Sequence, residues 1–359
     1  MNMRFTLPRR SLEVALQAVA PLARLTAAPL SGQMLIDADG ERVEFVLFDG
    51  IYFLRAAIPA TVTDAGASVV PHAPITRLAE TWCTDDVQLK LDGERVEVRA
   101  GTDRVTVPRA DPADYSRWPT IVRPGAAIQA GALASVLRPV LFALSPAFDC
   151  VTVRVGRDLL DARVCGPHLS CRATRTLTGD PSRTFVIAGP VARRLVDMEL
   201  DPQSLVTLAT DDRRLYVHHA ALELVAPVRD DQTSSWPEPA QQVSTARGPQ
   251  DVLREPVDLL LAADGDGARD HAITLLFDEA RLVFAENGVD GARRFPRTVD
   301  RHGPNASAIV QLGQLADAVR HAAGRDFVFA LGEAGDPVTI RGSGADVETV
   351  AVLARMART

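Results

Sequence analysis

The chain has 359 residues, and its 46 acidic side chains against 39 lysines and arginines give a formal net charge of −7 at neutral pH. Apolar residues make up 47% of the sequence, which is typical of folded proteins and excludes a disordered chain. At this length we expect two or three domains, each able to bury its own core. No apolar run is long enough to cross a membrane, and residues 1–10 lack the apolar stretch of a secretion signal, so we predict a cytoplasmic protein.

The first third of the sequence predicts an amphipathic helix, alternating strands, a second helix and a closing hairpin. Leu12, Leu16 and Val19 recur at the spacing of one helical face and indicate the first helix. The Asp92-Gly93 step between two alternating runs indicates the hairpin, because this dipeptide favours a tight turn between strands. The predicted bounds are 9–19 and 74–82 for the helices and 87–91 and 95–100 for the hairpin strands.

The same order of elements recurs twice more along the chain. Val69, Phe185 and Ile309 mark the strand before each second helix and are about 116 and about 124 residues apart, a period that indicates three similar domains rather than a solenoid. Few helices and many short alternating strands favour an α+β fold, with two helices packed on antiparallel sheets in each domain. We place the domains at 1–122, 123–248 and 249–359, and the later helices at 131–144, 190–198, 256–263 and 311–323.

The titratable residues show no pattern typical of an active site or a metal site. The seven histidines lack metal-ligand spacing, and the four cysteines form no C-x-x-C pair and are expected to be reduced and buried. Residues 264–270 resemble the start of a calcium loop, but the twelfth position is Leu275, so we predict a solvated turn. The sequence therefore predicts no catalytic residue, no metal and no cofactor.

Several stretches, taken in order along the chain, resemble the bacterial sliding-clamp family, the β subunit of the replicative DNA polymerase. They are Met-Arg-Phe-Thr at 3–6, Gly-Ala-Ser-Val-Val-Pro at 66–71, the strand-turn-strand at 91–101, and Pro-Ala-Asp-Tyr at 112–115, which is similar to the family's A-x-D-[FY]-P boundary. The resemblance is strongest in the first third and identifies a divergent paralogue rather than the housekeeping clamp. It implies two three-domain subunits joined head to tail in a ring around duplex DNA.

The resemblance also implies that helices line the ring and face DNA without reading its sequence. The predicted helices carry a small excess of arginines over carboxylates within an acidic chain, the sign expected of a basic lining, although solvated helix faces give the same pattern. The residues predicted to face DNA are Arg9, Arg10, Arg24, Arg77, Arg138, Arg193, Arg194 and Arg320.

A groove between the second and third domains is implied to capture short apolar peptides of polymerases and clamp loaders. Of the family's T-D-G-H-R-L wall this chain keeps only the histidine, and of F-P-D-Y-R-R it keeps the proline but not the arginines. The C-terminal M-P-x-R pattern is matched only by Leu-Ala-Arg-Met at 353–356, so we expect weakened peptide binding. The predicted groove residues are His168, Leu169, Pro237, Val352, Leu353 and Met356.

The head-to-tail homodimer is implied to form between a strand of the first domain and a turn of the third. Where the family buries an apolar pair in the third domain, this chain has Ala-Asp, and burial of an unpaired carboxylate costs several kcal/mol, which disfavours the dimer. The predicted interface residues are Arg104, Val105, Thr106, Val107, Ala263 and Asp264.

Three functional hypotheses follow from the sequence. The leading one is a sliding-clamp-like protein that encircles or associates with duplex DNA and tethers replication or repair proteins. The second is a clamp-fold protein-interaction module, monomeric, that does not encircle DNA. The third is an enzyme whose site is assembled across domains, which no residue pattern in the sequence requires.

Overall fold

The computed structural model describes residues 3–20, 32–116, 118–119, 125–177, 183–198, 200–211, 213–220, 222–228, 236–237, 244–288, 291–333 and 336–356. They form two compact units. The first unit comprises Met1–Ile128 with Leu205–Val228, and the second comprises Gln129–Ser204 with Arg229–Thr359. The middle third of the sequence therefore contributes to both units, and the three-domain boundaries stay a prediction.

Six α-helices lie within the described ranges, and their bounds are α1 (Arg9–Val19), α2 (His72–Thr81), α3 (Ala130–Leu137), α4 (Gly189–Asp197), α5 (Asp251–Asp264) and α6 (Leu312–His321). Helix α1 has the predicted bounds and buries the predicted apolar face. Helix α3 ends seven residues before the predicted Leu144, because Pro139 lacks the N–H that would continue it, and only a 3₁₀ turn at Leu141–Ala143 follows.

Helix α5 begins five residues before the predicted start at Pro256. The Gln250 carbonyl accepts hydrogen bonds from the N–H groups of Leu253 and Arg254, at 2.9 and 3.0 Å, and so begins the helix ahead of the proline. Proline favours the first helical turn, which is why the sequence pattern placed the start too late.

The strands form four sheets, and the strand pairs whose register the described residues give are antiparallel. Their bounds are β1 (Arg4–Pro8), β2 (Gln33–Asp39), β3 (Arg42–Phe48), β4 (Phe53–Pro59), β5 (Thr61–Asp64), β6 (Gly66–Pro71), β7 (Asp86–Asp92), β8 (Arg95–Ala100), β9 (Asp103–Pro108), β10 (Ala126–Gln129), β11 (Cys150–Val155), β12 (Leu159–Cys165), β13 (Leu169–Thr176), β14 (Arg183–Ala188), β15 (Leu205–Thr210), β16 (Arg214–His219), β17 (Leu222–Pro227), β18 (Ser244–Pro249), β19 (Ala272–Asp278), β20 (Arg281–Gly288), β21 (Gly291–Thr298), β22 (Asp300–His302), β23 (Ala306–Gln311), β24 (Asp326–Leu331), β25 (Val338–Ser343) and β26 (Val347–Leu353).

The first unit contains a five-stranded sheet, β5-β1-β7-β8-β9, and an eight-stranded sheet, β10-β15-β16-β17-β4-β3-β2-β6. The second unit contains a nine-stranded sheet, β14-β11-β12-β13-β26-β25-β24-β18-β22, and a four-stranded sheet, β21-β20-β19-β23. Strand β17 pairs with β4 and strand β13 pairs with β26, so each larger sheet joins strands that are far apart in the sequence. Helices on antiparallel sheets confirm the predicted α+β class.

The cysteines differ from the prediction at one position. None of the four is in a disulfide, and Cys165 and Cys171 are buried, but Cys83 is exposed because it lies in the segment that follows the end of α2 at Thr81. The expectation that all four are buried is therefore wrong for Cys83. Burial raises the pKa of the Cys171 thiol to about 12, which keeps it protonated at neutral pH.

Tyr115 fastens the segment after β9 to the eight-stranded sheet. Its side chain is buried; its hydroxyl accepts a hydrogen bond from the Phe48 N–H at 2.9 Å and lies 3.1 Å from the carbonyl oxygens of both Val46 and Gln33. Burial raises the pKa of Tyr115 to about 12. The segment that leads toward the predicted boundary is thus fixed to the first unit.

Replacing Tyr115 with phenylalanine is expected to lower the free energy of unfolding by about 1–2 kcal/mol at pH 7, because a buried N–H and carbonyl lose their partner. Since the folded pKa lies above the ordinary value of 10, the stabilisation is complete below pH 10 and declines as the pH rises towards 12. Urea denaturation at pH 7, 10 and 11 measures both effects. Equal alkaline losses in the variant and the wild type would contradict this assignment.

Candidate DNA-facing helices, peptide groove and sheet edges

The first helix pair, α1 and α2, presents two exposed arginines. Both helices follow directly from strands, at Pro8 and Pro71. Arg10 and Arg77 are exposed and form no ion pair with any residue in the described ranges. Arg9 has a different role, since its Nη1 lies 3.0 Å from Glu13 Oε2 and donates to the Ala79 carbonyl, which ties α1 to α2. The predicted Arg24 lies outside the described residues.

The second helix pair, α3 and α4, also presents two exposed arginines. Arg138 caps the C-terminus of α3 and Arg193 lies on α4; each is exposed and has no ion-pair partner in the part of the chain that the structure describes. Arg194 is instead half-buried, and its Nε is buried without a hydrogen-bond acceptor. Desolvation lowers the pKa of Arg194 from its ordinary value. Arg193 is therefore the better placed of the two for a solvent-exposed phosphate.

The third helix pair, α5 and α6, has its exposed arginines neutralised. Arg320 lies 2.7 Å from Asp258, and Arg269, from the short helix after α5, lies 2.5 Å from Asp317. The predicted DNA-facing role of Arg320 thus competes with an ion pair that the chain already makes. The exposed arginines without a partner concentrate in the first two helix pairs.

The predicted peptide groove is built on the pairing of β13 with β26. Leu169 pairs with Leu353 and Ser170 with Val352, while the Ala354 N–H donates to the His168 carbonyl at 2.9 Å. The sheet therefore brings together residues that are about 180 positions apart in sequence. His168 is exposed at the turn before β13.

Not every predicted groove residue faces outward. Leu353 has no exposed surface and packs in the core of the second unit, so its assignment to the groove is wrong. Side chains alternate along a strand, so Val352 faces the other side of the sheet, although only 3% of it is exposed. Met356 is 42% exposed, and its N–H donates to the Ile309 carbonyl at 2.9 Å. Pro237 is half-buried.

A cavity of about 600 Å³ lies on the sheet face that carries Val352 and Ser170. We call it the Trp236 pocket. Its lining residues are Leu159, Arg172, Thr174, Trp236, Arg341, Glu348 and Val350.

A buried carboxylate supports one wall of the Trp236 pocket. The Asp161 side chain is 2% exposed, and its two oxygens accept from Arg172 Nε at 2.8 Å and from Arg163 Nε at 2.7 Å. The Arg163 guanidinium lies over the Trp236 ring, 6.0 Å from its centroid. Sequence reasoning missed this cluster, although a carboxylate inside the alternating run Leu-Leu-Asp-Ala-Arg was a signal for it.

Strand β9 is the exposed edge of its sheet, as the predicted interface requires. Arg104 and Thr106 are exposed and Val105 is 36% exposed, whereas Val107 is buried. Arg104 forms an ion pair with the buried Glu97 of the neighbouring strand. This edge therefore has a fixed backbone and one partly exposed apolar side chain.

The third-domain part of the predicted interface lies at the end of α5. Ala263 is exposed, and Asp264 is the last helical residue, with its side chain outside the described part. In place of the solvated turn predicted after it, Gly265–Asp270 is a 3₁₀ helix; Gly267, Arg269 and Asp270 are exposed, as predicted, but Ala268 is fully buried and Gln311 Nε2 donates to Asp270 Oδ1 at 3.1 Å.

Strand β21 is the sheet edge next to α5. Arg297 on this strand lies 3.1 Å from Glu255 of the helix. Arg294 is exposed, and Pro296 has no N–H to donate to an added strand. Arginine and proline on an edge strand are devices that discourage strand addition.

Within the described ranges no group of three or more histidines, cysteines or carboxylates could hold a metal ion. The same part of the chain contains no helix with the length and apolar character needed to cross a membrane.

Solved sliding clamps are similar to this chain along its length. The DNA polymerase sliding clamp of Bacillus subtilis has a TM-score of 0.88 at 18% identity and covers 100% of both chains. A putative DNA polymerase III beta subunit from Eubacterium rectale has a TM-score of 0.87 at 12% identity, covering 99% of this chain and 100% of that one. The clamp of Caulobacter crescentus has a TM-score of 0.85 at 18% identity, with the same coverage. The chain therefore has the sliding-clamp fold, and the predicted resemblance is confirmed.

The sequence likeness is weaker than the structural one. The beta sliding clamp of Micrococcus luteus is 25% identical over 187 residues, which are 50% of this chain and 60% of that relative. The match thus spans less than two thirds of the relative's length. No protein-family model matches the chain.

Proposed function

We propose that this chain is a divergent sliding-clamp paralogue, a cytoplasmic non-enzymatic protein that associates with duplex DNA without reading its sequence and tethers replication or repair proteins. The observation that carries the proposal is a sliding-clamp fold over the whole chain whose first two helix pairs expose arginines without partners: Arg10, Arg77, Arg138 and Arg193. Guanidiniums in this setting suit phosphate contacts, which give affinity and orientation but no sequence information.

Retention on circular DNA tests the proposal directly. A closed ring holds a circle by topology, so the protein should stay on a nicked circular duplex through gel filtration and leave once the circle is cut. If the protein binds the circular DNA only slowly by itself, a clamp-loader-like protein is added to the mixture. Equal loss from circular and linear DNA would overturn encirclement.

Replacing Arg10, Arg77, Arg138 and Arg193 together with glutamine is expected to weaken binding to a short duplex and to flatten its salt dependence. Each lost phosphate contact lowers the slope of log K against log salt by about 0.9, so four contacts per subunit remove about 3–4 from the slope. Fluorescence anisotropy from 50 to 200 mM salt measures this. The control replaces four exposed arginines outside the helices, Arg42, Arg157, Arg213 and Arg325. An equal change of slope in the control would show that the helices are not the DNA-facing surface.

The second candidate function, a monomeric interaction module, is favoured by the third-domain side of the predicted interface, where strand β21 is the sheet edge next to α5, the helix that carries Ala263 and Asp264. Arg294 and Pro296 discourage strand addition there, and Ala263 offers little apolar surface beside it. Light scattering separates the two candidates, because a monomer has a mass of 38.6 kDa and a two-subunit ring has twice that. A strict monomer that is never retained on circles supports the module.

The proposed partners are DNA polymerase or clamp-loader-like proteins, which would use the groove formed by His168, Val352 and Met356; Leu169, directly opposite Leu353, packs against the core instead. The pairing of β13 with β26 supports this groove, because it fixes the backbone of both walls. The walls lack the family arginines, so we expect the partner peptides to differ in sequence from those of an ordinary clamp.

A further inference from the structure

We propose that the Trp236 pocket binds a partner peptide that carries one carboxylate beside an apolar side chain, and that Arg341 pairs with this carboxylate. The inference rests on the proposed function, because it takes the pocket to be an extension of the peptide groove. It adds a chemical class of partner that the groove residues alone do not specify.

The first support is the continuity of the two surfaces. On the outer face of the sheet, Ser170 is paired with Val352, the next position is Arg172 with Val350, and the one after is Thr174 with Glu348. Alternate residues of a strand are about 6.6 Å apart, so the groove end and the pocket are one side-chain row apart. Ser170 and Val352 are only 2% and 3% exposed, so a peptide would contact the exposed side chains on either side of this row, His168 and Met356 on one side and the pocket lining on the other.

The second support is the charge that the pocket leaves unbalanced. Arg172 and Arg163 are both committed to Asp161. The Arg341 guanidinium forms no ion pair or side-chain hydrogen bond with any residue in the described part of the chain, and its Nε is buried without an acceptor. A buried guanidinium N–H without an acceptor is costly, and a carboxylate oxygen from a partner would satisfy it.

The position of Glu348 limits the partner to a single acid. This residue lines the same pocket, is exposed, and lies beyond ion-pair distance of Arg341. The pocket and the adjoining Asp161 cluster together contain three guanidiniums, of Arg163, Arg172 and Arg341, and two carboxylates, of Asp161 and Glu348. One added carboxylate balances this charge, whereas a second would face Glu348 without a counterion.

The third support is the apolar surface of the pocket. Val350 lies between Arg172 and Arg341 across the strands, and Leu159, 38% exposed, and the half-buried Trp236 line the same pocket. An apolar side chain seated here would exclude water from the Arg341 pair and strengthen it.

Peptide selection tests the proposal. Phage-displayed random heptapeptides are selected on the full-length chain, and the selected sequences are synthesised with a fluorophore and measured by polarisation. We expect one enriched Asp or Glu near an apolar residue, and about tenfold weaker binding when that acid becomes its amide. Selected peptides that bind equally well as acid and amide, or a selection that yields no binder, would overturn the proposal.

Variants at Arg341 locate the effect. Arg341→Gln should remove the discrimination between acid and amide, and Arg341→Glu should reverse the preference towards a peptide with lysine at that position. Arg325→Gln, at an exposed arginine outside the pocket, is the matched control, and thermal unfolding checks that each variant folds. Unchanged discrimination in Arg341→Gln would show that another group reads the acid.

Failure of this proposal about the Trp236 pocket can be distinguished from failure of the proposed clamp function. His168→Ala with Met356→Ala should weaken acid and amide peptides alike, because these residues belong to the groove and not to the pocket. Retention on nicked circles does not depend on Arg341. Retention without acid preference leaves the clamp function and removes this inference, whereas acid preference without retention does the reverse.

Discussion

Replacing Asp161 with alanine is expected to lower the free energy of unfolding by about 3–5 kcal/mol. The Asp161 carboxylate is nearly fully buried and is the shared partner of two half-buried arginines. Its removal leaves both guanidiniums on the same sheet face without a counterion, and a small cavity between them. Chemical denaturation, with equal slopes for variant and wild type, measures the loss.

Asp158 provides the matched control for this substitution. It lies in the turn just before the same strand and is exposed, so Asp158→Ala should change the free energy of unfolding by no more than about 0.5 kcal/mol. A loss below 1 kcal/mol in Asp161→Ala would mean that water satisfies the two arginines as well as the carboxylate does. In that case Asp161 would not be what supports the Trp236 pocket.

Replacing Gly324 with alanine is expected to cost about 3–4 kcal/mol or to prevent folding of the second unit. Its φ of +82° is in the left-handed region, which alone costs alanine about 1 kcal/mol. A Cβ at this position would also lie 1.9 Å from the Ser343 carbonyl oxygen, and backbone cannot rotate away as a side chain can. The chain must therefore shift between α6 and β24 to accept a methyl group.

The variant Gly93→Ala separates the cost of the left-handed backbone from the cost of the contact with Ser343. Gly93 has a φ of +60° in the turn between β7 and β8, but no atom lies within 4 Å of where a Cβ would be. Gly93→Ala should therefore show the left-handed cost alone, about 1 kcal/mol. Thermal unfolding of both variants gives the comparison, and equal losses would rule out the contact with Ser343.

Local sequence patterns predicted the helices and strands better than they predicted which strands pair with each other. The face formed by Leu12, Leu16 and Val19 was enough to place α1, because burial of one helical face is a local property. The same reasoning failed at the start of α5. The Gln250 carbonyl begins this helix by accepting backbone hydrogen bonds, and such bonds produce no periodic pattern of apolar residues in the sequence. Local patterns also could not show that β13 pairs with β26, since pairing between distant strands depends on the whole sheet.

Residue type alone could nominate site residues from the sequence, but it could not find those whose role depends on geometry. Exposed helix arginines such as Arg10 and Arg193 could be named from the sequence. Asp161 could not, because a carboxylate inside a strand has meaning only once Arg172, on the neighbouring strand, is seen to contact it. Leu353 was misplaced because its strand is mostly apolar on both faces, so alternation does not distinguish core from groove.

The pairing of distant strands sets an order for synthesis on the ribosome. The eight-stranded sheet has all its strands once Pro227 has emerged, since β17 is the last of them to be made. The nine-stranded sheet requires β26, so β13 keeps an unpaired edge while more than 170 further residues are translated. Contacts of such sequence separation form slowly, and an open edge invites association with other chains. We therefore expect nascent chains halted before Val347 to depend on chaperones far more than chains released after Leu353.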